Sequence, residues 1–354
     1  MQFVIHGDKT ATRQRTPSRH PLHERVDSPG PRHAIPGVIS AFSAPHNSAM
    51  ARGAPDTKAE EFTGHRRVCE SPAMPRRSTT RIVTVNVNGL RAATRNGMRT
   101  WMESRRPDVL TMQEVRAPDE LVPGLVEELV DGGWHVAHSE CENKGRAGVA
   151  VISRSPMIDV REGLHARDRK TFSDSGRWVE VDLRTTGGDT LTVVSAYVHT
   201  GDAESPERMS EKLSFLDAAA DRLQTLRRSS DHVLLTGDLN VAHREVDIKN
   251  WKGNLASAGF LPTERAWFDR LFDDHGWVDV GRTLAGPGPG PYSWWSWRGK
   301  AFDNDAGWRI DYQIATPELA ALARSAEVDR APSYAERWSD HAPVVADYGL
   351  GLST

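Results

Sequence analysis

Apolar and polar residues alternate over Val83–Val87, within the run Arg81-Ile-Val-Thr-Val-Asn-Val, a period of two that predicts a β-strand. Further short β-branched runs, bounded by Gly, Pro, Asn and Asp, predict strands at Asp108–Thr111, Trp134–His138, Gly148–Ser153, Trp178–Leu183, Thr190–Val198, His232–Thr236, Arg309–Ile314 and His341–Asp347. The turn Thr186-Gly-Gly-Asp predicts that two of these form a hairpin. Apolar positions spaced three and four apart predict helices at about Met98–Ser104, Asp119–Leu129, Pro206–Leu226, Thr263–Phe272 and Pro317–Ala323. Strands outnumber helices and do not alternate regularly with them, which argues against a doubly wound parallel sheet. The pattern predicts an α/β fold: a four-layer αββα sandwich of two mainly antiparallel sheets, packed face to face and flanked by helices, with its site where the strands end.

Before Arg81 the pattern is missing. Residues 1–79 hold nine of the 21 prolines but only three aromatics, Phe3, Phe42 and Phe62, so they have little with which to build a core. They are expected to form a disordered Pro/Arg-rich extension, with residues 80–354 as the folded domain. Translation starting at Met74 would remove most of that extension. The extension carries 12 Lys or Arg against seven Asp or Glu, which leaves the folded part with 33 against 41. A domain with that acidic balance does not advertise a nucleic-acid ligand, so any such contact must come from a local basic patch. Cys69 and Cys141 are too few for a disulfide framework and lack metal-site spacing. No apolar run approaches the ~20 residues that span a bilayer, and the first 30 residues contain no apolar leader segment. These features predict a cytoplasmic protein without membrane association.

Five predicted strands run directly into polar residues that strand propensity does not explain. Val85 leads to Asn86 and Asn88, Leu110 to Gln113 and Glu114, Leu235 to Asp238 and Asn240, Ile310 to Asp311, and Trp338 to Asp340 and His341. Each alone is ordinary: Glu114 reads as a solvated strand end, and Gly-Asp-Leu-Asn is good turn chemistry. Asp311 differs, because it sits inside the apolar run Arg309-Ile-Asp-Tyr-Gln-Ile, where an unpaired carboxylate would be costly to bury. A histidine is its natural partner, since a carboxylate on one ring nitrogen fixes the tautomer and frees the other. The set supplies what phosphodiester hydrolysis requires: hard oxygen ligands for Mg²⁺, a group to orient or deprotonate water, and donors to phosphoryl oxygens.

The ordered set Asn86-Val-Asn-Gly-Leu-Arg, Leu110-Thr-Met-Gln-Glu, Gly237-Asp-Leu-Asn, Trp308-Arg-Ile-Asp and Ser339-Asp-His-Ala-Pro resembles the exonuclease III family of abasic-site (AP) endonucleases, part of the endonuclease/exonuclease/phosphatase superfamily related to DNase I. The resemblance runs from about Arg81 to Tyr348. It implies a DNase I-like fold and a Mg²⁺-dependent repair hydrolase, with Mn²⁺ as an alternative ion. That enzyme would act as a monomer on double-stranded DNA carrying abasic sites or blocked 3′ ends. It implies Glu114 as the principal metal ligand, with Asn86, Asn88, Asp238, Asn240, Asp340 and His341 around it; some relatives have Asp where this chain has Asn88. Asp238 is implied as the residue that orients or deprotonates water, with Asn240 holding it and Asp311 fixing His341. His341 then serves as a phosphate donor or, in the competing scheme, as base. Tyr197 matches the tyrosine that bonds the scissile phosphate. Trp294 matches the aromatic that lines the pocket for a flipped-out sugar. Arg91, Arg177 and Asn254 are implied DNA contacts, in loops that also carry Arg95, Lys144, Arg146, Lys249, Lys252, Arg298 and Lys300.

Two other readings remain open on the sequence. A phosphoesterase acting on a non-DNA phosphodiester, such as a lipid head group or inositol phosphate, shares the same core residues. A catalytically dead DNA-binding module would lack one of them, and none of Glu114, Asp238, Asn240, Asp311 or His341 is missing.

Overall fold

In the computed structural model the described residues are 78–164, 172 and 175–354. The expected extension over residues 1–79 lies outside them, apart from its last two residues. Among the described residues are twelve strands: β1 (Thr80–Asn86), β2 (Val109–Gln113), β3 (His135–Ser139), β4 (Val149–Ser153), β5 (Met157–Glu162), β6 (Trp178–Arg184), β7 (Thr190–Tyr197), β8 (His232–Asp238), β9 (Val278–Asp279), β10 (Asp311–Ala315), β11 (Ala323–Val328) and β12 (Val344–Tyr348). The α-helices are α1 (Leu90–Ala93), α2 (Arg99–Arg105), α3 (Val122–Leu129), α4 (Pro206–Ser229), α5 (Pro262–Asp269), α6 (Val280–Ala285) and α7 (Pro317–Ala320).

The strands form two six-stranded sheets, ordered β11-β12-β1-β2-β4-β3 and β5-β6-β7-β8-β10-β9. Neighbours run antiparallel except β1 with β2 and β7 with β8, which are parallel at the centre of each sheet. This is the expected sandwich, and its chemistry follows from the period of two. Ile82, Val109 and Val151 of the first sheet meet Val181, Val193 and Leu234 of the second, forming the central layer. Val83, Val85, Leu110 and Ile152 turn the other way, onto Met98, Met102, Leu125 and Leu129. On the far side Val194, Ala196 and Leu235 pack on Phe215, Leu223, Trp267 and Phe268. Each such side chain contributes roughly 1.5–3 kcal/mol through burial.

Within the central layer, paired polar groups also cross between the sheets. Thr111 Oγ1 lies 2.7 Å from Thr236 Oγ1, and Gln113 Nε2 donates to Ser195 Oγ at 3.0 Å. Gln313 Nε2 donates to the carbonyls of Ile82 and Val344, both at 3.0 Å, and Tyr348 Oη donates to Gln313 Oε1 at 2.9 Å. Apolar contact alone would let one sheet slide over the other; directional bonds in a dry layer fix the offset.

The structure differs from the sequence-based expectation at the edges. Strands β5, β9 and β11 were not expected. β5 does alternate, Ile158-Asp-Val-Arg161, but its apolar face is exposed, whereas β11 is built mainly from small and charged residues and shows no such pattern. The helix expected over Pro317–Ala323 ends at Ala320, and the chain has entered β11 by Ala323.

Candidate active site

The five polar strand ends converge at one end of the sandwich because of strand direction. Parallel β1 and β2 deliver Asn86 and Glu114 at their C-terminal ends, as β7 and β8 deliver Tyr197 and Asp238. Antiparallel β10 begins there, with Asp311 in register with Asp238, and the segment before β12 brings Asp340 and His341. The chain must turn sharply as it leaves each strand. Asn88, Glu114, Arg116 and Asn240 all adopt left-handed backbone, with φ of 49°, 51°, 53° and 49°. Such conformations cost free energy in a non-glycine residue and persist only where neighbours hold them. Here Gly89 N donates to Glu114 O at 2.8 Å, Val87 N to Gln113 O at 3.0 Å and Val115 N to Gly148 O at 3.0 Å. Gly237 precedes Asp238 with φ 135°, and a Cβ there would lie 2.0 Å from Ala196 O on the adjacent β7.

A single amide joins the two sheets at the site: Asn86 Nδ2 donates to Glu114 Oε1 at 2.8 Å and to Asp238 Oδ2 at 3.0 Å. Asp238 is buried and takes two further bonds from Asn240, from its backbone N to Oδ1 and its Nδ2 to Oδ2, each 3.0 Å. Asn240 Nδ2 also donates to Val198 O at 2.8 Å. Asp311 Oδ2 meets His341 Nδ1 at 2.9 Å, and His341 Nε2 lies 3.8 Å from Asp238 Oδ2. Burial pushes the Asp238 carboxyl up to about 7, against the pull of His341. For His341 burial acts downward, but the carboxylates of Asp311 and Asp238 outweigh it and hold the imidazolium up to about 10. These groups form one coupled set, with the proton on the imidazole side.

Asn88 Nδ2 donates to Asp340 Oδ1 at 2.9 Å, and Trp294 Nε1 donates to Asp340 Oδ2 at 3.1 Å. The Trp294 ring is half-buried, 6.5 Å from the His341 ring. Burial, then the nearby Glu114 and Asp238 carboxylates, push the Tyr197 hydroxyl well above its ordinary range, so it stays protonated as a donor. The Arg177 guanidinium lies 4.7 Å from the Tyr197 ring centroid.

The structure therefore brings together Asn86, Asn88, Glu114, Tyr197, Asp238, Asn240, Trp294, Asp311, Asp340 and His341, with Arg177 adjoining through Tyr197. Two residues singled out from sequence stand apart from this network. Arg91 is exposed on α1, and Asn254 bonds within its own loop, donating to Asn250 O at 2.9 Å and accepting from Ser257 Oγ at 3.1 Å.

Sequence reasoning missed several supports. Arg116 ion-pairs with the second oxygen of Glu114, although it stands only two residues further along the same turn. Ser339 Oγ donates to Asn86 O at 2.7 Å and accepts from His341 N at 3.2 Å; Ser293 Oγ accepts from Asp311 N at 3.1 Å. Ser339 lies inside a motif already noted and Ser293 directly precedes Trp294, so position could have revealed them. Lys212 of α4 reaches the carbonyls of Thr200 and Asn240, and its place on a long polar helix gave no signal.

Glu114, Asp340, Asn86 and Asn88 offer oxygen donors and no sulfur, a set that fits a hard divalent cation. Asp238, Asp311 and His341 also have potential ligand atoms within 4.8 Å of one another. In that trio, however, His341 Nδ1 and Asp311 Oδ2 are already bonded together, so it reads as an acid and base assembly rather than a cation cage.

The profile of the Endonuclease/Exonuclease/phosphatase family matches residues 83–341. The chain is 30% identical to exodeoxyribonuclease III of Haemophilus influenzae over 276 residues, covering 76% of this chain and 99% of that protein. Among solved structures it is similar to the 3′ phosphatase NExo from Neisseria bound to a product DNA hairpin, with a TM-score of 0.67 and 28% identity over 76% of this chain and 99% of that one. An AP endonuclease from Archaeoglobus fulgidus gives a TM-score of 0.64 at 28% identity, with the same two coverages. No helix among the described residues is long and apolar enough to cross a membrane.

Proposed function

The chain belongs to the endonuclease/exonuclease/phosphatase family, as a phosphodiester hydrolase of its exonuclease III branch and a DNA-repair nuclease, and we propose that it cuts the DNA backbone 5′ to abasic sites in a Mg²⁺-dependent reaction. The same site would also remove nucleotides and blocking groups from 3′ ends, since each reaction hydrolyses a phosphoester at the same geometry. Residues 80–354 are the catalytic domain on this reading, which the family match over 83–341 supports.

The observation that carries the proposal is the Asn86 amide bridging Glu114 to Asp238. It ties a hard-oxygen site on one sheet to a buried base on the other. Glu114, with Asn86, Asn88 and Asp340 beside it, would hold Mg²⁺, which when bound supplies Lewis acidity toward the phosphate oxygens. Asp238, held by three donors, takes the proton of the attacking water as its oxygen bonds to phosphorus; the bond from phosphorus to the 3′ oxygen breaks, and that oxygen leaves as a 3′-hydroxyl with a proton from solvent. His341, kept protonated by Asp311, donates to a phosphoryl oxygen where negative charge develops, and the Tyr197 hydroxyl is a second donor. Trp294 offers an apolar wall for a sugar that has lost its base.

The direct test is cleavage of a labelled duplex containing one tetrahydrofuran abasic analogue, beside an undamaged duplex, with Mg²⁺ and with EDTA. Incision at the analogue only, and only with metal, is expected, because the analogue cannot undergo β-elimination. Degradation of both duplexes from their 3′ ends would make the protein chiefly an exonuclease. No cleavage of either would turn the proposal toward a non-DNA phosphoester.

Two further results are expected. Glu114→Ala should raise the Mg²⁺ concentration for half-maximal rate by roughly 10- to 100-fold, and calorimetric titration of metal onto the free protein should weaken in step. An unchanged metal requirement would remove Glu114 from the ligand set.

The pH profile of kcat/KM should have two limbs. Asp238 acts ionised, so activity is lost as pH falls through about 7; His341 acts protonated, so activity is lost as pH rises through about 10. Rising metal concentration should move the acid limb lower. Asp311→Asn removes the carboxylate that lifts His341 and should bring the alkaline limb down by roughly one to two units. An alkaline limb that stays in place would break the link between Asp311 and His341.

A further inference from the structure

A lysine and a glutamate lie wholly buried behind the site. Lys212, on α4, and Glu264, on α5, each have no exposed side-chain surface, and Lys212 Nζ meets Glu264 Oε1 at 2.5 Å. Lys212 Nζ also donates to the carbonyl oxygens of Thr200 and Asn240, both at 2.9 Å. Three acceptors around one nitrogen use all three protons of an ammonium, whereas a neutral amine could serve only two. Glu264 also accepts from Gly259 N at 2.8 Å and Leu261 N at 3.0 Å.

These partners are not scattered. Thr200 stands in the loop that leaves β7, Asn240 in the turn that leaves β8, and Gly259 and Leu261 in the segment that enters α5. The ammonium sits where the three meet. From there it fixes the carbonyl of Asn240, the residue whose backbone N and side-chain Nδ2 hold both oxygens of Asp238. Thr200 reinforces the same residue, with its Oγ1 donating to Asn240 Oδ1 at 3.3 Å. Asn240 is in the left-handed region, and Gly259 crowds its carbonyl so closely that a Cβ at Gly259 would come within 3.0 Å of it. A conformation of that kind persists only if something holds it.

We infer that Lys212 is a positioning residue for the hydrolytic step: its charged amine, neutralised by Glu264, clamps the Asn240 peptide and through it sets the orientation of Asp238. Burying the pair is not needed for packing, since two apolar side chains of similar volume would serve as well or better. What apolar replacements cannot supply is the pair's four directed bonds, to Thr200, Asn240, Gly259 and Leu261, which tie three separate segments together. The inference rests on the proposed role of Asp238.

The test must separate position from stability, because Lys212→Met alone strands the Glu264 carboxylate. The double variant Lys212→Met/Glu264→Gln removes both charges and leaves an amide oxygen for Gly259 N and Leu261 N. Thermal unfolding, kcat and KM on the tetrahydrofuran duplex, and backbone hydrogen exchange would be measured on the parent, the single variant and the double variant. In the double variant most of the melting temperature lost by Lys212→Met should return. Its kcat should nevertheless stay on the order of 10- to 100-fold below the parent, with KM within about twofold, the scale on which a small misplacement of a reacting group slows a reaction. Amides of the Thr200 and Asn240 loops should exchange faster, while β7 and β8 keep their protection. A double variant with parental kcat, or loops that exchange as in the parent, would overturn the inference. If the parent itself does not cut the duplex, the proposed function fails and hydrogen exchange alone decides the clamp.

Discussion

Asp238→Asn should lower the single-turnover cleavage rate about 10³-fold, within the range that general-base catalysis provides, and leave DNA affinity unchanged or slightly tighter. The affinity follows from charge, since removing a carboxylate beside a phosphate relieves repulsion. The rate follows from two losses. The amide cannot accept the proton of water at neutral pH. It also offers one acceptor oxygen where the carboxylate offered two, facing three donors from Asn86 and Asn240. Either the Asn240 N–H or the pair of amide nitrogens must lose its partner, so the variant side chain is held less firmly as well as being less basic. Single-turnover kinetics with excess enzyme, together with equilibrium binding in EDTA, would read the two effects separately. A rate within tenfold of the parent would exclude Asp238 as the base.

Gly237→Ala should destabilise the protein by about 4 kcal/mol or more and lower its melting temperature on the order of 10 °C. The added Cβ would sit 2.0 Å from Ala196 O, in the parallel ladder between β7 and β8, and φ at this position is 135°. Neither strand can retreat. β7 is held by β6, β8 by β10, and both faces are packed. Gly124→Ala is the matched control, because nothing lies within 4 Å of a Cβ there and its helix should gain up to about 1 kcal/mol. Calorimetry on the two variants would compare them directly. A Gly237→Ala protein that melts within a few degrees of the parent would mean that the close approach of β7 and β8 is softer than the geometry requires.

The sequence was informative where burial and chemistry conflict. Asp311 inside an apolar run had to have a partner, and its carboxylate does meet His341 at 2.9 Å. The alternation in β1 and the Gly-Gly hairpin between β6 and β7 were legible because the period of two and the turn residues are local signals, although β1 is buried on both faces. β11 was not legible, since an edge strand has little burial to impose a pattern; β5 carries the alternation in Ile158 and Val160, but on a short run whose apolar face stays exposed. Lys212 was hidden for the opposite reason. Lysine on a 24-residue polar helix is usually solvated, and only the arrival of three loops from distant parts of the chain encloses it. Arg91 and Asn254 lie apart from the bonded network, and neither spacing nor packing assigns them a role.

The order of strands in the first sheet bears on how the protein is made. β1, built from the first described residues, pairs on one side with β2 and on the other with β12, the last strand. Asn86 and Glu114 thus leave the ribosome more than 200 residues before His341, and the edge of β1 that β12 will cover stays open throughout. A chain halted short of Asp340 lacks His341, the imidazole that Asp311 and Asp238 face. The two halves of the hydrolytic centre therefore come from opposite ends of the folded domain, and it cannot assemble before both are present.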